Sequence, residues 1–213
     1  MGELIDLHIH TDVSPCGRQS LESCLKRATE VGLDLICITD HFSTEVFSDL
    51  KNISSQGPKV LVGMEYSLPE GDFLLFVPAK VPSFPRGLSA EEVFSEVHRL
   101  GGVVIWAHPF RWGRLPEERL LEEGLVDAIE VLNGRTSPRE NERARALAEA
   151  FGLPMVAGSD AHSEDELGSV ANFCPEKLET VSDLVEAIKA RLLEPMILSR
   201  DLRRSYCFLF QGL

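Results

Sequence analysis

Leu4-Ile-Asp-Leu-His8-Ile-His10 alternates its side chains with a period of two, the pattern of a strand with two different faces. The next segment, 20–31, changes period: Leu21, Leu25 and Ala28 recur at helical spacing, with Ser20 placed to cap the helix and Gly32 to stop it. This alternation continues along the chain. Strands are expected over 34–40, 59–67, 72–77, 103–107, 128–132, 155–158 and 195–199, and helices over 90–100, 116–123, 138–151 and 181–190. The Pro-rich stretch Val81-Pro-Ser-Phe-Pro-Arg86 reads as a loop. Strands separated by helices pair in parallel through right-handed crossovers. Seven or so of them, in a chain shorter than the ~250 residues of an ordinary β/α barrel, favour a reduced, distorted (β/α)7 barrel over an open doubly wound sheet. No Gly-x-Gly-x-x-Gly follows the first strand, which counts against the dinucleotide-binding form of the open sheet.

The 213 residues suit one domain with one large core, spanning 1–213. With 44% apolar and 26% charged residues, the disordered, collagen-like and disulfide-scaffold classes fall away. Lys and Arg number 21 against 34 Asp and Glu, a formal charge of −13 that disfavours non-specific binding to DNA or RNA. The start lacks a basic segment leading into an apolar one, and no apolar run reaches the ~20 residues of a membrane span, so a cytoplasmic protein without a membrane partner is expected. Cys16, Cys24, Cys37, Cys174 and Cys207 are odd in number and form no Cys-x-x-Cys pair, which favours reduced thiols over a disulfide framework or an all-cysteine zinc site. Near the end, Phe208 and Phe210 follow a basic turn and are expected to pack on the barrel or to dock a second subunit; the sequence does not choose an oligomeric state.

Five of the six histidines fall at the carboxyl ends of expected strands, the face on which α/β folds build their sites. His8 and His10 end the first strand, Asp40 and His41 the second and Glu65 the third, while His108 follows 103–107 and Asp160-Ala-His162 follows 155–158. Residues i and i+2 of a strand share a face, so His8 and His10, and likewise Asp160 and His162, can turn toward one cation. Imidazole with carboxylate suits zinc, manganese or iron. So many ionisable groups converging without a cation would be costly to bury.

Asp6-Leu-His8-Ile-His10-Thr11, Ile38-Thr-Asp40-His41, Gly63-Met-Glu65, Ala107-His108-Pro109 and Gly158-Ser-Asp160-Ala-His162, in this order, resemble the motifs of the PHP (polymerase and histidinol phosphatase) superfamily of metal-dependent phosphoesterases, and Glu130-Val-Leu-Asn133-Gly resembles it too. The resemblance implies a distorted seven-stranded β/α barrel with two or three metals at its rim. By the same resemblance His8, His10, Glu65 and Asp160 hold a first metal, Glu65 bridges to a second bound by His108, and His41 and His162 take a third. Two positions depart from the family. Cys16 stands where some members have a histidine, and it is either a thiolate ligand or a thiol beside the site. Where members complete the second metal with a histidine after the bridging Glu, Glu70-Gly-Asp72 offers Asp72 as an oxygen ligand. His98, on a helix, is expected at the surface.

A carboxylate bridging two cations would hold them close and lower the pKa of a shared water, so that hydrolysis of a phosphate ester follows, with Glu65 as the bridge. Asp40 is expected to fix a histidine tautomer. Arg111 and Arg18 are candidate forks for the phosphate, Arg135 a weaker one, and Asn133 either orients a ligand or substrate or caps a turn. The substrate is expected to be a small phosphomonoester or nucleotide. Alternatives are an exonuclease acting on short oligonucleotides, a metal-dependent amidohydrolase, for which no lysine ends an expected strand, and a non-catalytic accessory module.

Overall fold

The structure is a computed structural model that describes residues 2–52 and 57–199. Cys207, Phe208 and Phe210 lie outside the described residues. Ten strands and five α-helices are formed among those described. In chain order they are β1 (Glu3–Ile9), α1 (Leu21–Val31), β2 (Leu35–Ile38), β3 (Lys59–Val62), β4 (Met64–Leu68), β5 (Gly71–Phe76), α2 (Ala90–Arg99), β6 (Val103–Ala107), α3 (Arg119–Glu122), β7 (Ala128–Asn133), α4 (Pro138–Phe151), β8 (Met155–Gly158), β9 (Val170–Cys174), α5 (Val181–Lys189) and β10 (Glu194–Ile197).

The helices start where their capping chemistry says. Ser20, Ser89, Ser137 and Thr180 each accept from a backbone N–H of the first turn, and the last three complete capping boxes with Glu92, Glu140 and Asp183. Gly32 and Gly152 end α1 and α4 in the left-handed conformation.

The strands form two five-stranded sheets, β10-β9-β1-β2-β3 and β4-β5-β6-β7-β8, that do not close into the expected barrel. Two antiparallel devices interrupt the parallel winding. The stretch 59–67 is two strands parted at Gly63, where a Cβ would fall 2.6 Å from the Phe76 ring and 2.8 Å from the Leu75 carbonyl. The tight turn at Pro69-Glu70 then forces β4 and β5 to run antiparallel. In the other sheet β9 pairs antiparallel with both β1 and β10. Between the sheets the backbone is joined by isolated parallel bridges, Ile9 with Ala161 and His41 with Glu65.

Leu7, Leu35 and Leu61 of one sheet share a buried cluster with Leu74, Ile105 and Val156 of the other, and α5 packs its Leu184 and Ile188 into it. The second sheet's other face packs against α2, α3 and α4 through Trp106, Phe94, Leu120 and Ala148, and the first sheet's other face receives α1 through Ile36, Ile38, Cys24 and Ala28. With both faces covered, the strands read as near-continuous apolar runs. Polar side chains inside those runs are therefore conspicuous: His8, Glu65 and Glu130 are essentially fully buried.

Candidate metal centre

Strand ends deliver the polar groups to one place. The pairing of β1 with β2 shifts register between Asp6 and Ile9, and that of β7 with β8 between Glu130 and Leu132, so both irregularities lie beside residues of the cluster. Just past β6 and β8, His108 (φ 31°) and Asp160 (φ 55°) adopt the left-handed backbone, and Phe42 (φ 54°) does so directly after His41. Non-glycine residues held there are strained, and such strain gathers at functional sites.

Glu65 is the centre of the arrangement. Its Oε2 lies 3.4 Å from His8 Nε2, 3.1 Å from His10 Nε2 and 3.3 Å from His41 Nε2, while Oε1 lies 3.3 Å from His108 Nε2. Opposite it, Asp160 Oδ1 lies 3.5 Å from His8 Nε2 and 3.3 Å from His10 Nε2. Three groups of donors have their ligating atoms within 4.8 Å of one another: His8, His10 and Asp160; His8, Glu65 and His108; and His10, Cys16, His41 and His162. Eight of the nine expected ligands are thus brought together. Asp72 belongs to none of the three groups; it lies on the wall of the adjoining cleft, with Arg114 3.5 Å away.

The charges are mutually dependent. Burial alone would push the His8 imidazole down, but Asp160, Glu130 and Glu65 outweigh it and hold it well above the usual histidine range. Burial works the other way on Glu65 and Asp160, yet the surrounding His8 and His10, with His108 and, at Asp160, Arg111, hold both well below the usual carboxylate range. At the rim, burial and the neighbouring His10 lower His162 to about 4, and burial lowers His41. Neutral rim imidazoles beside ionised carboxylates are ready to ligate. The donor chemistry fits divalent cations, and His10 Nδ1 is buried without a hydrogen-bond partner among the described residues.

Groups behind the cluster fix it. His8 Nδ1 pairs with Glu130 Oε1 at 3.0 Å, and Glu130 Oε2 accepts from the His108 backbone N–H at 3.0 Å and from Asn133 Nδ2 at 2.9 Å. The role expected of Asp40, holding a ring nitrogen, is therefore filled by Glu130. Asp40 instead accepts from the Thr11 N–H, Thr11 Oγ1 and Ser14 Oγ, whose oxygen in turn accepts from the His41 N–H at 2.8 Å. Its carboxylate pins the loop that carries Cys16. Gly158 admits the His8 and Glu130 contact: a Cβ there would fall 2.3 Å from His8 Cβ and 2.5 Å from Glu130 Oε1. Within the apolar run Ala128-Ile-Glu130-Val-Leu, a lone acid was the sequence signal for this role.

The expected phosphate forks divide. Arg111 is mostly buried and donates to Asp160 Oδ2, to Asn133 Oδ1 at 2.7 Å and to Thr136 Oγ1 at 3.3 Å, so its planar head is already engaged with a candidate ligand. Asn133 is buried and bonds inward to Glu130 and Arg111. Arg18 is exposed and lines the cleft of about 760 Å³ that opens over the cluster, and Arg114 and Arg135 line it as well. His98, expected at the surface, is half-buried on α2 with its Nε2 2.8 Å from Asp127 Oδ2. No helix among the described residues is long and apolar enough to cross a membrane.

Residues 6–99 match the PHP domain family and residues 138–192 the PHP-associated family. No curated protein sequence matches the chain. Among solved structures, PsfC from Pseudomonas syringae PB-5123 is similar at 18% identity with a TM-score of 0.76, covering 100% of this chain and 99% of that one. A protein of Bifidobacterium adolescentis assigned as a metal-dependent phosphoesterase is 19% identical with a TM-score of 0.63, covering 89% of this chain and 96% of that one. Endonuclease Q, solved with a 27-mer duplex bearing an abasic lesion, is 20% identical with a TM-score of 0.72, covering 89% of this chain and 57% of that one. At these identities the likeness is one of fold.

Proposed function

The chain belongs to the PHP domain family, and from that premise we propose that it is a metal-dependent phosphoesterase acting on small phosphorylated substrates. The observation that supports this reading best is the position of Glu65, whose two oxygens lie within 3.1–3.4 Å of four imidazoles drawn from three separate stretches of the chain. One carboxylate with two such faces is suited to a bridge between neighbouring cations.

Two or three divalent cations, zinc, manganese or iron, would supply positive charge for the phosphoryl oxygens and lower the pKa of water. His8, His10 and Asp160 would hold one, His8 or His108 with Glu65 a second, and His41 and His162 with Cys16 a third. Around them the chain's own groups do separable work. Glu130 fixes the His8 ring and the turn at His108. The Asp160 carbonyl and the Arg135 guanidinium both meet the His162 ring at Nδ1, 2.8 and 2.5 Å away, so Nε2 is the nitrogen left for ligation. Arg111 orients Asp160 and offsets its charge. Arg18 and Arg114, which line the cleft, are the groups placed to meet substrate anions, and Asp72 is assigned to the cleft wall, paired with Arg114.

The acidic chain as a whole is poorly suited to long nucleic acid, so a terminal phosphate on a short oligonucleotide is the largest substrate of that kind proposed. The strand residues do not favour an amidohydrolase of the lysine-bridged kind. Lys59 is the lysine on the described strands, and it begins β3 and pairs with Glu179 away from the cluster. The convergence of eight of the nine expected ligands argues against a non-catalytic accessory role.

A screen of phosphomonoesters, nucleotides, short oligonucleotides and N-acyl substrates, run with added zinc, manganese or iron and paired with elemental analysis, tests the assignment. Metal-dependent phosphate release with two or three ions per chain is the expected result. Turnover confined to the N-acyl substrates, or protein that retains no metal, would overturn it.

A further inference from the structure

Four residues past His108 a bulky apolar ring stands in water at the mouth of a polar cleft. Trp112 is 83% exposed, while Trp106, the other tryptophan, is wholly buried. The display is built, not loose. Trp112 itself takes the left-handed conformation, φ 57° and ψ 30°, unfavourable for a side chain of its size. The turn holding it is tied on both sides: the Arg111 N–H donates to the His108 carbonyl at 3.0 Å, and the Gly113 N–H to the Phe110 carbonyl at 3.1 Å and to Glu140 Oε1 at 3.2 Å. The Arg111 side chain leads back to Asp160, so ring and cluster are linked through one residue. Observed backbone strain of this kind points toward function.

Trp112 lines the same cleft as His108, Asp160, Arg18 and Arg114, in a space of about 760 Å³ that falls within the size range of small-ligand sites. A cleft whose walls carry Arg18, Arg114 and Arg135 along with Asp72 and Glu166, with metal-ligand chemistry at its floor and a single aromatic face at its lip, suits a ligand that is anionic at one end and flat at the other.

We propose that Trp112 is the platform on which a substrate nucleobase stacks, so that the enzyme prefers nucleoside monophosphates over aliphatic phosphate esters. This deepens, and rests on, the phosphoesterase reading. Stacking on an aromatic side chain tolerates any base, because every base has a π face, so the preference is for nucleotides as a class.

Two measurements on the metal-loaded protein test it. In the first, tryptophan emission is followed while adenosine, and separately inorganic phosphate, is added. Adenosine should quench the exposed Trp112 and phosphate should not, and Trp112→Phe should lose the response. The second compares adenosine monophosphate with glycerol phosphate as substrates. Trp112→Ala should lower the ratio of their kcat/KM values roughly tenfold, chiefly through KM for the nucleotide, and Trp112→Phe should restore most of it. The platform is refuted if adenosine leaves the emission unchanged, or if Trp112→Ala reduces both substrates equally, as a purely structural role would. Adenosine quenching in a protein that releases no phosphate from any ester would sink the phosphoesterase reading and leave the platform standing.

Discussion

His8 and Glu130, 122 residues apart, meet at 3.0 Å between Nδ1 and Oε1 with both side chains wholly buried. A carboxylate on the far nitrogen of an imidazole fixes the tautomer that ligates and strengthens it as a donor. Glu130→Gln keeps the shape and removes the charge. Metal affinity, measured by competition with a chelator, should fall about 10- to 100-fold while the fold is kept. Unchanged affinity would remove Glu130 from this role.

Glu65→Gln addresses the bridge itself. The amide keeps one oxygen but loses the charge that two cations would share. Turnover should fall below detection, and elemental analysis should show at least one ion fewer per chain. Near-normal turnover would take Glu65 out of the centre.

Cys16 brings sulfur to a group whose other donors are the imidazoles of His10, His41 and His162. Burial holds the free thiol up from its usual value, so ligation has to displace a proton and should strengthen as pH rises. Cobalt substituted for the native metal should give a thiolate-to-cobalt absorption band in the near ultraviolet, and Cys16→Ser should abolish it. A wild-type spectrum without that band would leave Cys16 a bystander.

Arg111→Lys separates a positioning residue from a phosphate fork. Lysine keeps the charge but cannot span Asp160, Asn133 and Thr136 together. The expected outcome is a lower kcat with KM little changed. A selective rise in KM would instead place the guanidinium on the substrate.

His98→Ala removes a ring paired with Asp127, whose Oδ2 also accepts from the Val104 N–H at 2.7 Å. Both side chains are partly exposed, so the cost should be roughly 1 kcal/mol or less by thermal or denaturant unfolding. Activity at saturating metal should match wild type; a large loss would mean that the ring serves the site.

Elements with strong local signals were legible in the sequence. α4 begins at Ser137 with Pro138 in its first turn and ends at Gly152, and its bounds match the expected 138–151. β9 was not legible: Val170-Ala-Asn-Phe-Cys174 has no alternation, and its Asn172 is buried because its side chain bonds to Ile5 and to both backbone groups of Ala157. The barrel expectation failed for a related reason. Strand direction is set by turns as short as Pro69-Glu70, and 59–67 reads as one strand until Gly63 is seen against Phe76. At the site, histidines at strand ends announced themselves by type and spacing. Glu130 did not, because one acid in an apolar run shows that something buried must answer it without showing what. The contrast between Asp40 and Glu130 follows: adjacency in sequence suggested Asp40 for the histidine, whereas adjacency in space assigns Glu130.

His8 and His10 hang from one sheet and Glu65 and His108 from the other, while the backbone linkage between the sheets, among the described residues, narrows to isolated bridges. Cations held between these side chains would tie the two halves of the molecule together across that join. Stripping them would then loosen the whole body, lowering its heat tolerance and opening it to proteases.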